Sequence, residues 1–134
     1  MVLQSLEGLP AFIAYFCLSA VAVIAFLVIY TRITPLSEFD LIRKNVPAAA
    51  ISLGFSLLGF SLPLASAIAH AADLLDCAIW AVIALVVQLL VFYAARIPVP
   101  NLQQRIANGE LAPALWVGLA SLTAGVLSAA SMSL

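Results

Sequence analysis

Charge is what this sequence has least of. Charged side chains are 8% of its 134 residues, five basic and six acidic, where a soluble domain carries about a quarter. So little charge cannot cover a water-facing surface, and the solvent of this chain must be lipid. The net charge of −1 excludes electrostatic binding of nucleic acid as a main role, because phosphate recognition needs clustered cations. Two cysteines, Cys17 and Cys77, stand without a CxxC or histidine-rich context, which excludes a disulfide framework and leaves two small apolar fillers. The chain also lacks a nucleophile with a base, paired carboxylates in a pocket-forming pattern and a glycine-rich phosphate loop. No catalytic residue and no cofactor is therefore expected, and the chain reads as not an enzyme. A metal site is not expected either, since the single histidine, His70, has no ligand-like spacing to a partner. The first residues, MVLQSLEGLP, hold an acid and no Lys or Arg, the wrong flank for a cleavable leader.

What is present in quantity is apolar surface, 66% of residues, with a mean hydropathy of +1.22. It is gathered into four runs, at about 10–31, Pro47–His70, Leu74–Ala95 and 112–132. Each is about 30–35 Å long as a helix, enough for one crossing of a bilayer core. No Asp, Glu, Lys or Arg lies inside them beyond their ends. Backbone groups in lipid must be satisfied within the segment, and continuous apolar runs without alternation mean helices. The expected fold is an all-α membrane protein of four transmembrane helices in a single domain, 1–134.

Orientation follows from the cations. Arg32, Arg43, Lys44, Arg96 and Arg105 all fall in the first or third connection, which the positive-inside rule places in the cytoplasm. Both termini then face the other side, together with His70, Asp73, Asp76 and nearby Glu7, which read as a solvated membrane edge.

The two basic connections share a construction. In the first, Pro35 precedes Ser37 as N-cap, with Asp40 three residues on. Glu38 and Asp40 sit near the positive end of a short helix, and Arg43 and Lys44 near its negative end. Asn45 can close it, and Pro47 suits the first turn of the next span. In the second, Pro98 and Pro100 precede Asn101 as N-cap, Asn108-Gly109 can close the helix, and Pro113 opens the last span. Each reads as a short interfacial helix, with Phe39 and Ile42, or Leu102 and Ile106, facing lipid. Arg32-Ile33 matches Arg96-Ile97, and the same spacing of 64 relates Ala50 to Ala114, Gly54 to Gly118 and Leu58 to Leu122. The expected plan is two parallel two-helix repeats, about 8–70 and 72–134, forming a pseudo-twofold four-helix bundle.

The stretch ITPLSEFDLIRKN, followed by Ala48-Ala49-Ala50, Gly54, Gly59, Pro63-Leu64 and Ser66-Ala67, resembles the YjfL-type family of small bacterial inner-membrane proteins. The third span is similar too, through Asp76-Cys77-Ala78-Ile79-Trp80 and the IALVVQLLVF that follows. The resemblance covers nearly the whole chain. It implies a four-span, duplicated protein of a bacterial inner membrane. It implies no activity, because the family is classed as a domain of unknown function.

Gln88 is the most informative side chain, set near the middle of the third span. An unpaired amide in an apolar medium costs roughly 2–7 kcal/mol, so Gln88 must face protein or a wet cavity. A bond within the bundle, a contact between subunits and the lining of a polar path all satisfy that demand. Small residues at helical spacing, Gly54 and Gly59 in the second span and Gly118, Ser121, Gly125 and Ala129 in the last, let helix backbones approach closely. Pro63 should kink the second span, with Ser61 or Ser66 near the carbonyl it frees. The expected function is that of a non-catalytic, self-associating inner-membrane protein. Its loop residues Arg32, Glu38, Arg43, Lys44, Arg96 and Arg105 would anchor or recruit a cytoplasmic protein partner. The other reading is a small channel or transporter with a polar path near Gln88. Ion-coupled transport is disfavoured, since the spans hold no ionisable group at depth. The orientation predicts that alkaline phosphatase fused after Leu134 is active, while a fluorescent protein that folds only in the cytoplasm stays dark there. The reverse pattern would overturn the assignment of every loop.

Overall fold

The computed structural model describes residues 6–33 and 38–132, with Glu38 and Gln103 given by backbone alone. Its helices run in the order α1 (Leu9–Ile33), α2 (Glu38–Arg43), α3 (Pro47–His70), α4 (Leu74–Ala95), α5 (Leu102–Ala107) and α6 (Leu111–Met132). Four of them, α1, α3, α4 and α6, are long and apolar enough to cross a membrane. The chain is an all-α membrane protein.

Local chemistry sets the ends of these helices. Asn45 adopts a left-handed φ of 65°; its N–H donates to the Ile42 carbonyl at 3.0 Å, and that of Val46 to Leu41 at 3.0 Å. This pair of bonds closes α2 with a Schellman motif. Pro47 then opens α3, where its missing N–H costs nothing. Gly109 stands to α5 as Asn45 stands to α2, with φ 86°. The Gly109 N–H donates to Ile106 at 3.0 Å and that of Glu110 to Arg105 at 3.1 Å. At the far end of the spans, Asp73 caps α4 by accepting from the Asp76 N–H at 2.8 Å, and the Asp76 carboxylate accepts from the Ala72 N–H at 3.0 Å. These two acids serve a helix start. Ser37, the expected N-cap of α2, lies outside the described residues.

The middle of the molecule is a seam between α3 and α6, with α4 lying across both and α1 resting on α3 and α4. Lipid tails are as apolar as leucine, so close van der Waals packing must hold these helices together. At Gly59 and Gly125 the backbones touch. A Cβ built on Gly125 would land on the Gly59 carbonyl, and one on Gly59 would land on the Ser121 carbonyl. Aromatic rings join the other helices: Phe26 of α1 stacks on Phe60 of α3 at 4.9 Å, and Tyr30 of α1 meets Phe92 of α4 edge-on at 5.0 Å. Pairs of this kind add about 0.5–1.5 kcal/mol each.

Two expectations are corrected. Leu102 and Ile106 do not face lipid; they are 2% and 3% exposed, because α5 folds back onto α6 and α3. Phe39, on α2, is 43% exposed. Asn101 holds the N-cap position of α5 in a left-handed conformation without a side-chain cap bond; its carbonyl accepts from Arg105 N–H at 3.0 Å. The four spans pack unequally: α4 packs on both seam helices, while α1 packs chiefly on α3 and α4.

Substituting Gly125→Ala forces the seam apart and lowers stability by about 1–3 kcal/mol. The exposed Thr123→Ala on the same helix should change it by less than about 0.5 kcal/mol. Thermal unfolding in detergent separates the two, and equal stability would sink the backbone-contact account.

Candidate functional site

Pro63 sits inside α3 and has no N–H to offer the carbonyl of Gly59, four residues back. That carbonyl is buried at the seam, where water cannot replace the missing donor. Gln88 supplies it: Nε2 donates to the Gly59 oxygen at 3.1 Å. The side chain reaches across from α4, and the residue is 2% exposed. The donor was expected near Ser61 or Ser66. Instead the Ser61 hydroxyl donates to Leu57 within its own helix at 2.9 Å, and that of Ser66 crosses to Ala129 of α6 at 2.9 Å. Ser61 thus takes the carbonyl four residues back in its own helix, as helical serines commonly do, while Ser66 ties α3 to α6.

The remaining polar groups line the same seam. Ser56 Oγ donates weakly to Ser121 Oγ at 3.4 Å, one turn from Gly59, and Ser52 Oγ donates to Ala49 at 3.1 Å. Gln88 Oε1 is buried without a hydrogen-bond partner among the described residues. Near the charged end, Trp116 Nε1 of α6 donates to the Ala95 carbonyl at 2.9 Å, meeting one of the acceptors left open at the end of α4.

The structure gathers some of the expected residues and scatters others. Gly59, Ser121 and Gly125 meet at the seam; Gly118 faces Phe55, whose Cβ would lie 2.7 Å from an added Cβ; Ala129 accepts from Ser66. Gly54 takes no part in the packing within the chain: it points outward, and a Cβ there would meet nothing. Of the loop residues, Arg43 pairs with Asp40 at 3.1 Å and Arg105 with Glu110 at 3.1 Å. Arg32 and Lys44 are exposed, and the Arg96 guanidinium lies over the Phe92 and Tyr93 rings at 5.8 and 6.0 Å. The side chain of Glu38 lies outside the described residues. Among the described residues no three His, Cys, Asp or Glu side chains gather into a metal site, and Cys17 and Cys77 are free. Asp73 and Asp76 were expected only as a solvated membrane edge; their capping of α4 was missed, and the D-x-x-D spacing at the start of an apolar run is the signal that could have found it. Nothing in the sequence pointed Trp116 at Ala95.

Residues 4–132 match the family described as Domain of Unknown Function (DUF350). The chain belongs to this family. Two relatives, each carrying the name UPF0719 inner membrane protein YjfL, come from Escherichia coli K12 and O157:H7. Each is 42% identical over 128 residues, covering 96% of this chain and 97% of theirs. No solved structure matches this DUF350 chain.

Replacing Gln88 by Leu leaves the Gly59 carbonyl without its donor, at a cost of about 1–3 kcal/mol. Pro63→Ala restores an N–H within α3, so in that background the cost of Gln88→Leu should fall by about 1 kcal/mol. A double-mutant cycle on unfolding in detergent measures this. An unchanged cost would mean that Gln88 does not answer the break made by Pro63.

Proposed function

We propose that this DUF350 chain is a non-catalytic, self-associating scaffold of the bacterial inner membrane. Two tandem repeats, about 8–70 and 72–134, place both termini in the periplasm and the two basic connections in the cytoplasm, where they anchor or recruit a soluble partner. The observation that carries this reading is the hydrogen bond from Gln88 to Gly59. A buried polar side chain of the third span is engaged in joining helices, as in a packing element. The inner-membrane name of the YjfL relatives supports the location, and the matching closures of α2 and α5 support the repeat. Gly54 supports self-association, because its outward face opens a shallow notch bordered by Ala50, Ile51, Phe55 and Leu58. A small residue at such a notch admits the helix of a second copy at close range.

A conduit reading draws on a different observation, the unpartnered Oε1 of Gln88, since water in a polar path would satisfy it. Flux of small polar solutes into proteoliposomes, lost on Gln88→Leu, favours the conduit over the scaffold.

Gly54→Leu tests the scaffold directly. The monomer has room for the added side chain, so its stability should stay within about 1 kcal/mol of the parent. The complex should shift toward monomers in light scattering on detergent-purified protein. A parent chain that is already monomeric, or an oligomer indifferent to leucine at this position, would defeat self-association through this face.

A further inference from the structure

The seam between α3 and α6 joins unlike faces. α2, Asn45 and the start of α3 are each answered 64 residues later, by α5, Gly109 and the start of α6, so each position of α3 has a counterpart on α6. The stripe that α3 brings to the seam, Ser52, Ser56, Gly59 and Pro63, is buried. Its counterparts on α6 are Trp116, Ala120, Thr123 and Leu127, and none of them is buried. They line a groove of about 480 Å³. Thr123 lies two residues from both Ser121 and Gly125, about 200° around the helix, so the groove is on the side of α6 away from α3. The converse holds for the stripe that α6 brings. Ala114, Gly118, Ser121 and Gly125 are buried, while their counterparts Ala50, Gly54, Leu57 and Ser61 are exposed or half-buried on α3. Ala50 and Gly54 border the notch described above.

Half of each contact is thus left over. α6 carries a second version of the face that α3 uses, and α3 a second version of the face that α6 uses. The spare faces lie on opposite sides of the α3–α6 pair and cannot meet within one chain. We propose that copies of this chain join head to tail, the Gly54 face of α3 seating in the Trp116 and Thr123 groove of the next copy's α6. This contact rests on the tandem repeat and the self-association proposed above, and it continues the α3–α6 seam from one copy into the next. Thr123 and Ser61 stand where Gly59 and Gly125 touch, so the copies meet less closely than the two helices of one chain. α1 fits the same plan. α4 lies across the seam with Cys77, Ala81, Ala84 and Gln88 buried, and their counterparts Ile13, Cys17, Ala20 and Ile24 form an exposed stripe on α1. In the head-to-tail contact that stripe covers the new seam. The polar requirement changes in step. Leu127 stands in place of Pro63 and keeps the N–H that proline lacks, so no carbonyl is freed, and Ile24 stands in place of the amide of Gln88. A contact between unlike faces leaves one of each free at the ends, so the copies form a ring or an open row.

Disulfide cross-linking of the full chain in membranes tests the contact, with Cys17→Ala and Cys77→Ala so that only added cysteines report. Phe55 meets Gly118 in the seam, and the counterparts of that pair are Leu119 and Gly54. An added Cβ at Gly118 lies 2.7 Å from that of Phe55, so a looser version of the contact brings two cysteines to the roughly 3.5–4.5 Å between Cβ atoms that a disulfide spans. Both positions are exposed, so neither cysteine disturbs the fold. Copies carrying Gly54→Cys, co-expressed with differently tagged copies carrying Leu119→Cys, should give a mixed cross-linked dimer. Each variant alone should stay unlinked, because neither face meets itself. Chains carrying both changes should give a series of dimers, trimers and longer species. Gly54→Cys paired with Val126→Cys, exposed on α6 outside the groove, should not link. Linking of Gly54→Cys to itself, equal linking through Val126, or no mixed dimer from copies that light scattering finds associated would overturn the head-to-tail contact and leave self-association standing. A parent chain that is monomeric would overturn both.

Discussion

A carbonyl that has lost its donor cannot stay bare inside a bilayer, and the packing of this protein turns on how the one at Gly59 is satisfied. Pro63 removes the N–H that would have met it. The seam with α6 excludes water, because Gly125 brings its backbone against Gly59. The donor must then come from a third helix, and Gln88 of α4 provides it. The three spans α3, α4 and α6 are thus tied at one point by a steric fact and an electrostatic one. Neither would suffice alone. Close approach without the amide would bury an unpaired acceptor, and the amide without close approach would face lipid.

Outward from that point the constraints weaken. The Ser56–Ser121 contact and the Ser66–Ala129 bond continue the α3–α6 seam along its length. Rings take over where α1 joins, through Phe26 on Phe60 and Tyr30 on Phe92. α1 itself keeps large apolar side chains such as Phe12, Phe16 and Val21 exposed, which suits a helix whose other neighbours are acyl chains. At the charged end, α5 is drawn inward through Leu102 and Ile106, and Trp116 pins α6 to the last carbonyls of α4. The architecture is therefore tightest around α3 and loosest around α1.

The two basic connections end alike. The same pair of closing hydrogen bonds, and a left-handed residue at the same step, appear after α2 and after α5. The surroundings of the two short helices differ, because α5 reaches both seam helices while α2 meets α3. Similar local sequence has produced similar local structure within unequal packing.

How much of this could be read from the residues depends on the range of the interaction. The spans, their number and their limits were legible, because length and unbroken apolarity are properties of each segment by itself. So were the turns at Asn45 and Gly109, where backbone preference acts within a few residues. The break at Pro63 was legible for the same reason, and so was the need of Gln88 for a partner. That these two needs answer each other was decided only by the tertiary structure, since the crossing of α3 and α4 brings together residues 29 apart in the chain. Leu102, Ile106 and Gly54 mark the same boundary. An apolar or small side chain declares that it can leave water, but not whether protein or lipid will cover it. In a membrane both are equally dry, so hydropathy carries no sign of the difference, and only the packing of the helices against one another supplies it.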